Sequence, residues 1–174
     1  MQIGIIGAGR IGSTLAKLWV RAGHEVRLAS RHPETLKGFV DGLGKSASAG
    51  SPKDAAEFGD VVMLTVPLEA VPRLAADLGS SLSGKVVLDT GNAYERRDGD
   101  VARQAAEHPA GSAGWAAAMF PGARWIKAFN TVSFKTLESE AHREGLASAF
   151  RSRATIPPPL KLQPAWSAMR ALIR

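Results

Sequence analysis

The chain contains no cysteine, which excludes disulfides, thiolate metal sites and a cysteine nucleophile. Its histidines, His24, His32, His108 and His142, never fall at i, i+4 spacing, so a metal-binding helix of the HExxH kind is absent and metal catalysis is not expected. No apolar run approaches the roughly 20 residues needed to cross a bilayer. The opening segment Met1–Ile6 has neither the basic flank nor the cleavage site of a signal peptide. The cytoplasm is therefore the expected compartment, with no membrane partner. Aromatic residues are sparse and there is a single tyrosine. A nucleic-acid partner is not expected, because that function wants a basic face with stacking aromatics.

Acidic residues are also missing from one region. Residues 146–174 hold five of the 22 basic residues and none of the 16 acidic ones. The net charge of +6 is thus a property of the tail, while residues 1–145 are near balance. At 174 residues, 45% apolar and 22% charged, the composition is that of one globular domain.

Strand-like and helix-like segments alternate. Gln2–Gly7 is a short apolar run ending in glycine. Arg10–Ala22 then sets Ile11, Leu15, Leu18, Trp19 and Ala22 along one helical face. The pattern predicts further strands over Glu25–Ala29, Ser46–Ala49, Asp60–Val66, Lys85–Asp89 and Arg124–Phe129. It predicts helices opening at Pro33 and spanning Pro52–Phe58, Leu68–Leu78 and Ser133–Arg143, with two short helices inside the polar stretch Asn92–Gly122. Such alternation implies right-handed crossovers, hence an α/β, doubly wound, mostly parallel sheet of the Rossmann type. Ligands of such sheets sit beyond the carboxyl ends of the strands, which directs attention to the loops after Ile6, Ala29, Val66, Asp89 and Phe129.

The first of those loops reads Gly7-Ala8-Gly9-Arg10-Ile11-Gly12, a GxGxxG turn between the first strand and the first helix. Its glycines allow a tight turn, close approach of a pyrophosphate and tight helix–strand packing, and the helix N-terminus offers N–H groups to phosphate. After the second strand an NAD site wants an acid for the ribose hydroxyls. Here the residues are Ser30-Arg31-His32, and a hydroxyl beside a guanidinium suits a 2′-phosphate, so NADP is the expected dinucleotide. Thr65, Val66 and Pro67 close the central strand. Asn92 follows the fifth strand and Asn130-Thr131 the sixth, together making a candidate nicotinamide-side rim. Spacing suggests no Ser-His-Asp set or carboxylate pair, so no catalytic acid or base is assigned. Lys127 is expected as an exposed edge charge and His108 as a solvated loop residue.

The segments GIIGAGRIGSTLAKLWVRAGHEVRLASR, DVVMLTVP and WIKAFNTVS, in this order and spacing, resemble the NADPH-dependent reductases of the deazaflavin coenzyme F420. They are most similar to the bacterial dinucleotide-binding oxidoreductases related to those enzymes, and similar also to the cytosolic domain of the six-transmembrane metalloreductases. The resemblance covers about residues 1–145. It implies an NADP-dependent oxidoreductase that passes hydride between NADPH and a flavin or deazaflavin-type acceptor, a small molecule, in a homodimer. It further implies that the glycine turn with Ser30 and Arg31 holds NADP, that Thr65, Val66 and Pro67 lie beside it, and that Asn130-Thr131 lies near the nicotinamide and the second ring. Asn130 stands where the deazaflavin reductases typically carry a histidine, which leaves the acceptor open.

Residues 146–174 depart from the resemblance. They read LASAFRSRATIPPPLKLQPAWSAMRALIR, whereas the family continues with a strand, a Gly-Asp-Asp turn, a helix and a Gly-Phe segment. Back-translated and read one base upstream, suitable wobble bases give PRVGIPLAGDDPAAAEAAARLVRDAGFDP, which has that pattern. The expected organisation is an NADP-binding domain over residues 1–145 and an atypical, frameshifted tail over 146–174. A non-catalytic NADP(H)-binding protein or truncated relic is the alternative reading. Sequencing the gene across codons 143–150 is expected to expose the shift; a clean reading of the present frame in close relatives overturns it.

Overall fold

Isoleucines at positions 3, 5 and 6 put β1 (Gln2–Ile6) at the centre of a sheet, where both of its faces are covered. A computed structural model describes residues 1–140. The tail, His142, and the last residues of the helix expected over Ser133–Arg143 lie outside the described residues. Beside β1 run β2 (Glu25–Ala29) and β4 (Val61–Leu64); β3 (Ala47–Gly50) pairs with β2, β5 (Val86–Asp89) with β4, and β6 (Arg124–Lys127) with β5. The order is β3-β2-β1-β4-β5-β6 and every pair is parallel. The chain first builds outward from β1 through β3, then returns to β1's other side at β4. That reversal opens a crevice at the carboxyl ends of β1 and β4, the place where doubly wound sheets bind ligands.

Helices cover both faces because the strands bury alternate residues on each. Ile3 and Ile5, with Val26, Leu28 and Met63, pack against α1 (Arg10–Arg21), α2 (Lys37–Leu43) and α7 (Phe134–Glu140) through Leu15, Trp19, Val40 and Leu137. Ile6, Val62, Leu64 and Val87 face α3 (Pro52–Phe58), α4 (Val71–Leu78), α5 (Glu95–Glu107) and α6 (Gly111–Ala118) through Ala55, Leu78, Ala105 and Ala116.

Several boundaries differ from expectation for local reasons. Pro33 opens a 3-10 turn to Leu36, held by the Thr35 hydroxyl donating to the His32 carbonyl at 2.7 Å, and the α-helix starts only at Lys37. The helix expected from Leu68 begins as a 3-10 turn, because Pro72 lacks an N–H and fits only the first turn of α4. The stretch Asn92–Gly122 holds two helices, the longer bent at Gly99, where φ is +54°. The sixth strand stops at Lys127 because the chain turns at Phe129 with φ +60°.

α3 is short, so its ends decide whether it forms. At its start the Ser51 hydroxyl accepts from the Asp54 N–H and the Asp54 carboxylate accepts from the Ser51 N–H, a reciprocal cap. At its end the Lys85 ammonium donates to the carbonyls of Ala56, Glu57 and Gly59 at 2.6, 3.0 and 2.9 Å. This charge at the negative end of the helix uses all three ammonium donors. The helix also lies so close to β1 that a Cβ on Gly4 would stand 2.0 Å from the Ala55 carbonyl oxygen. Gly4→Ala is therefore expected to destabilise the fold by about 1–3 kcal/mol through overpacking, read by urea denaturation; unchanged stability would mean that α3 can back away.

Candidate functional site

Three backbone segments converge at the head of the crevice. Gly7 donates to the Ala29 carbonyl at 3.0 Å and Thr65 to the Ile6 carbonyl at 2.9 Å, tying the ends of β1, β2 and β4 together. Gly7 has φ +114°, and a Cβ there would lie 2.4 Å from the Thr65 oxygen. A Cβ on Gly12 would lie 2.0 Å from the Gly7 oxygen. The fold itself therefore requires these two glycines. Gly9 is different: it caps α1 at φ −72°, and among the described residues a Cβ would meet nothing within 4 Å. Among the described residues no side chain caps this helix, and no acid stands in its first turn. Among the described residues its first N–H groups thus have no side-chain acceptor, and the positive end of the helix dipole lies behind them. The Arg10 guanidinium lies 5.1 Å from the centre of the Phe134 ring of α7.

At the end of β2, the Ser30 hydroxyl accepts from the His32 N–H at 3.0 Å, which leaves its own proton to give. Arg31 beside it is exposed. Val66 flanks Gly7, and the exposed Pro67 leads the chain away.

The rim on the other side is a connected network. Asn92 Nδ2 donates to the Asn130 carbonyl at 2.7 Å, and Asn130 Nδ2 reaches Asn92 Oδ1 at 3.4 Å. The two loops expected on one edge are thus joined, with the exposed Thr131 next in line. Asn92 also donates to the Tyr94 hydroxyl at 3.2 Å, while Arg97 donates to the Asn92 carbonyl at 2.8 Å. Arg97 makes two 2.8 Å bonds to the fully buried carboxylate of Asp98, which further accepts from the Tyr94 and Glu69 N–H groups. Burial pushes the Asp98 carboxyl up, but these hydrogen bonds from Arg97, Tyr94 and Glu69 outweigh it and hold the group below the usual carboxylate range. Phe129 keeps its left-handed backbone while buried, its ring edge-on to Trp19 at 6.3 Å. Strain of this kind clusters at functional positions, and Asn130 follows it directly in the chain.

Lys127 is not the exposed edge charge that its strand position suggested. Its side chain is 22% exposed, and its ammonium lies 2.8 Å from the buried Asp89 carboxylate. Asp89, Asp98 and Arg97 were not singled out from the sequence. Asp89 had a signal, as an acid ending an apolar strand; Asp98 sits in the charge-dense ERRDGD, which reads as surface. His108 is half-buried, its Nδ1 accepting from the Ala110 N–H at 3.2 Å. Among the described residues no His/Asp/Glu cluster could hold a metal, and no helix is long and apolar enough to cross a membrane.

Residues 2–93, more than half of the chain, match the family described as "NADP oxidoreductase coenzyme F420-dependent". The chain belongs to that family. It is 32% identical over 148 residues to the F420-dependent NADP reductase of Methanothermobacter thermautotrophicus, a match covering 79% of this chain and 64% of that protein. It is 28% identical over 138 residues to the metalloreductase STEAP3 of Rattus norvegicus, covering 79% of this chain and 26% of the other. It therefore spans about a quarter of the metalloreductase and just under two thirds of the reductase. A solved hypothetical protein of Sinorhizobium meliloti, 31% identical, superposes with a TM-score of 0.66 over 82% of this chain and 68% of its own. The matched segment of this family member runs from β1 to the Asn92 loop, and so includes the glycine turn, Ser30-Arg31 and Thr65–Pro67.

The buried acid of the rim gives a pH prediction. Because the folded carboxyl of Asp98 is held low, its stabilisation is complete above the ordinary carboxylate value of about 4 and is lost as pH falls through the lower folded value. Asp98→Asn is expected to lower stability by about 1–3 kcal/mol at neutral pH and to flatten the acid limb of thermal midpoint against pH. An acid limb identical to that of the parent chain would remove Asp98 from the network.

Proposed function

We propose that the chain binds NADP(H) across the carboxyl ends of β1, β2 and β4, and serves hydride transfer to a flavin or deazaflavin-type acceptor at the Asn92–Asn130 rim. Gly9 carries the reading. Nothing within the described protein requires glycine there, so the residue preserves space over an uncapped helix N-terminus, which suits a pyrophosphate. In this reading Gly7, Ala8, Gly9, Arg10, Ile11 and Gly12 form the phosphate turn. The Ser30 hydroxyl and Arg31 guanidinium take the 2′-phosphate, and Thr65, Val66 and Pro67 line the route toward the nicotinamide. Bound NADPH supplies the hydride. The residues Asn92, Asn130 and Thr131 would fix the orientation of two rings, and positioning rather than acid–base chemistry is what such a transfer demands of a protein.

Family membership supports this reading, as does the lack of an acid beside Ser30-Arg31 on the strand end. Fluorescence titration of the purified chain tests it. NADPH is expected to bind at least about tenfold tighter than NADH, a difference of one well-made charged contact. Equal binding would overturn the assignment of Ser30 and Arg31; binding of neither would leave a protein without a working nucleotide site. Gly9→Val is expected to stay folded, losing only about 1 kcal/mol at the helix cap, and to abolish NADPH binding, whereas Gly12→Val is expected to unfold the turn itself.

A further inference from the structure

Two lysines in this fold are bound in opposite ways. Lys85, at the amino end of β5, spends all three ammonium donors on backbone carbonyls and is a structural cap. Lys127 ends β6 at the carboxyl edge, in register with Asp89 at the end of β5. Its side chain is 22% exposed, yet among the described residues its ammonium makes one hydrogen bond, to Asp89 Oδ2 at 2.8 Å. The side chain is only partly buried, so the two remaining donors are open to solvent or to a ligand. Asp89 is fully engaged, accepting also from the Gly91 N–H at 2.7 Å and from the Trp125 indole at 3.3 Å. The carboxylate therefore fixes the ammonium and, through Gly91, the loop that carries Asn92.

We propose that Lys127 touches the acceptor, its two remaining N–H groups donating to a carbonyl oxygen or anionic ring atom of a flat, conjugated molecule. The inference rests on the reading of the rim as an acceptor site. A hydride delivers its two electrons and one proton as a unit, breaking a C–H bond on the donor and forming one bond on the acceptor. The ammonium neutralises the negative charge that arrives and keeps its own protons throughout. Asp89 is a positioning residue that sets the direction of those donors.

The test uses the full chain with riboflavin as the probe acceptor and NADP+ to fill the nucleotide site. Amine acylation read by mass spectrometry is expected to modify Lys127 in the free chain and to lose that modification when both molecules are present. The exposed Lys37 and Lys53 serve as internal controls. Lys127→Met alone would leave Asp89 buried without its counter-charge, so the double variant Asp89→Asn/Lys127→Met is also made, which orphans no charge. That variant is expected to bind NADPH as the parent chain does and to lose about 100-fold in kcat for riboflavin reduction, the usual loss for one aimed donor. Unprotected Lys127, or parental turnover in the double variant, overturns the inference. A parent chain that binds NADPH without binding riboflavin also overturns it, and leaves the nucleotide half of the function standing. A parent chain that binds no NADPH brings down the proposed function first, and this inference with it.

Discussion

The structure depends on how closely three backbone segments meet beneath the first loop. Gly7 and Gly12 leave no room for a single added carbon, because the Thr65 and Gly7 carbonyls already fill it. That contact sets the start of α1 against the ends of β1 and β4, and so fixes where the helix dipole points. The crevice exists because the strand order reverses at this point. Gly9 can then stay open, since its neighbours carry the packing.

The opposite rim is built from side chains rather than from close backbone contact. Asp89 and Asp98 are both buried, and each gathers donors from separate segments: Gly91, Trp125 and Lys127 for one, Tyr94, Arg97 and Glu69 for the other. Between them sits Asn92, held by Arg97 and linked to Asn130. Networks of this type specify one geometry when every member is satisfied. Among the described residues the Lys127 ammonium has a single partner in this network, Asp89.

The sheet was legible because apolar strands, glycine stops and proline starts alternate at the expected lengths, and β2 and α3 match their predicted bounds. The glycine turn was legible because two of its glycines, Gly7 and Gly12, are a backbone requirement. The joining of Asn92 to Asn130 was foreseeable only as a shared edge, since both follow strands of one parallel sheet. Lys127 reads as an edge charge because a lone lysine on a strand carries no trace of the carboxylate that pairs with it 38 residues earlier in the chain. Arg97 and Asp98 look like solvent-facing charge in a run of five charged side chains around one glycine. The left-handed turn at Phe129 left no mark at all, because its residue type does not favour that conformation.

The Trp19–Phe129 and Arg10–Phe134 contacts bind the first helix to a segment made more than a hundred residues later. During synthesis α1 emerges long before α7, so the apolar face formed by Leu15 and Trp19 must wait for much of its cover. A nascent chain in that interval presents an unfinished surface to its neighbours on the ribosome. The two ends of the described fold thus meet only after nearly all of its chain has been made.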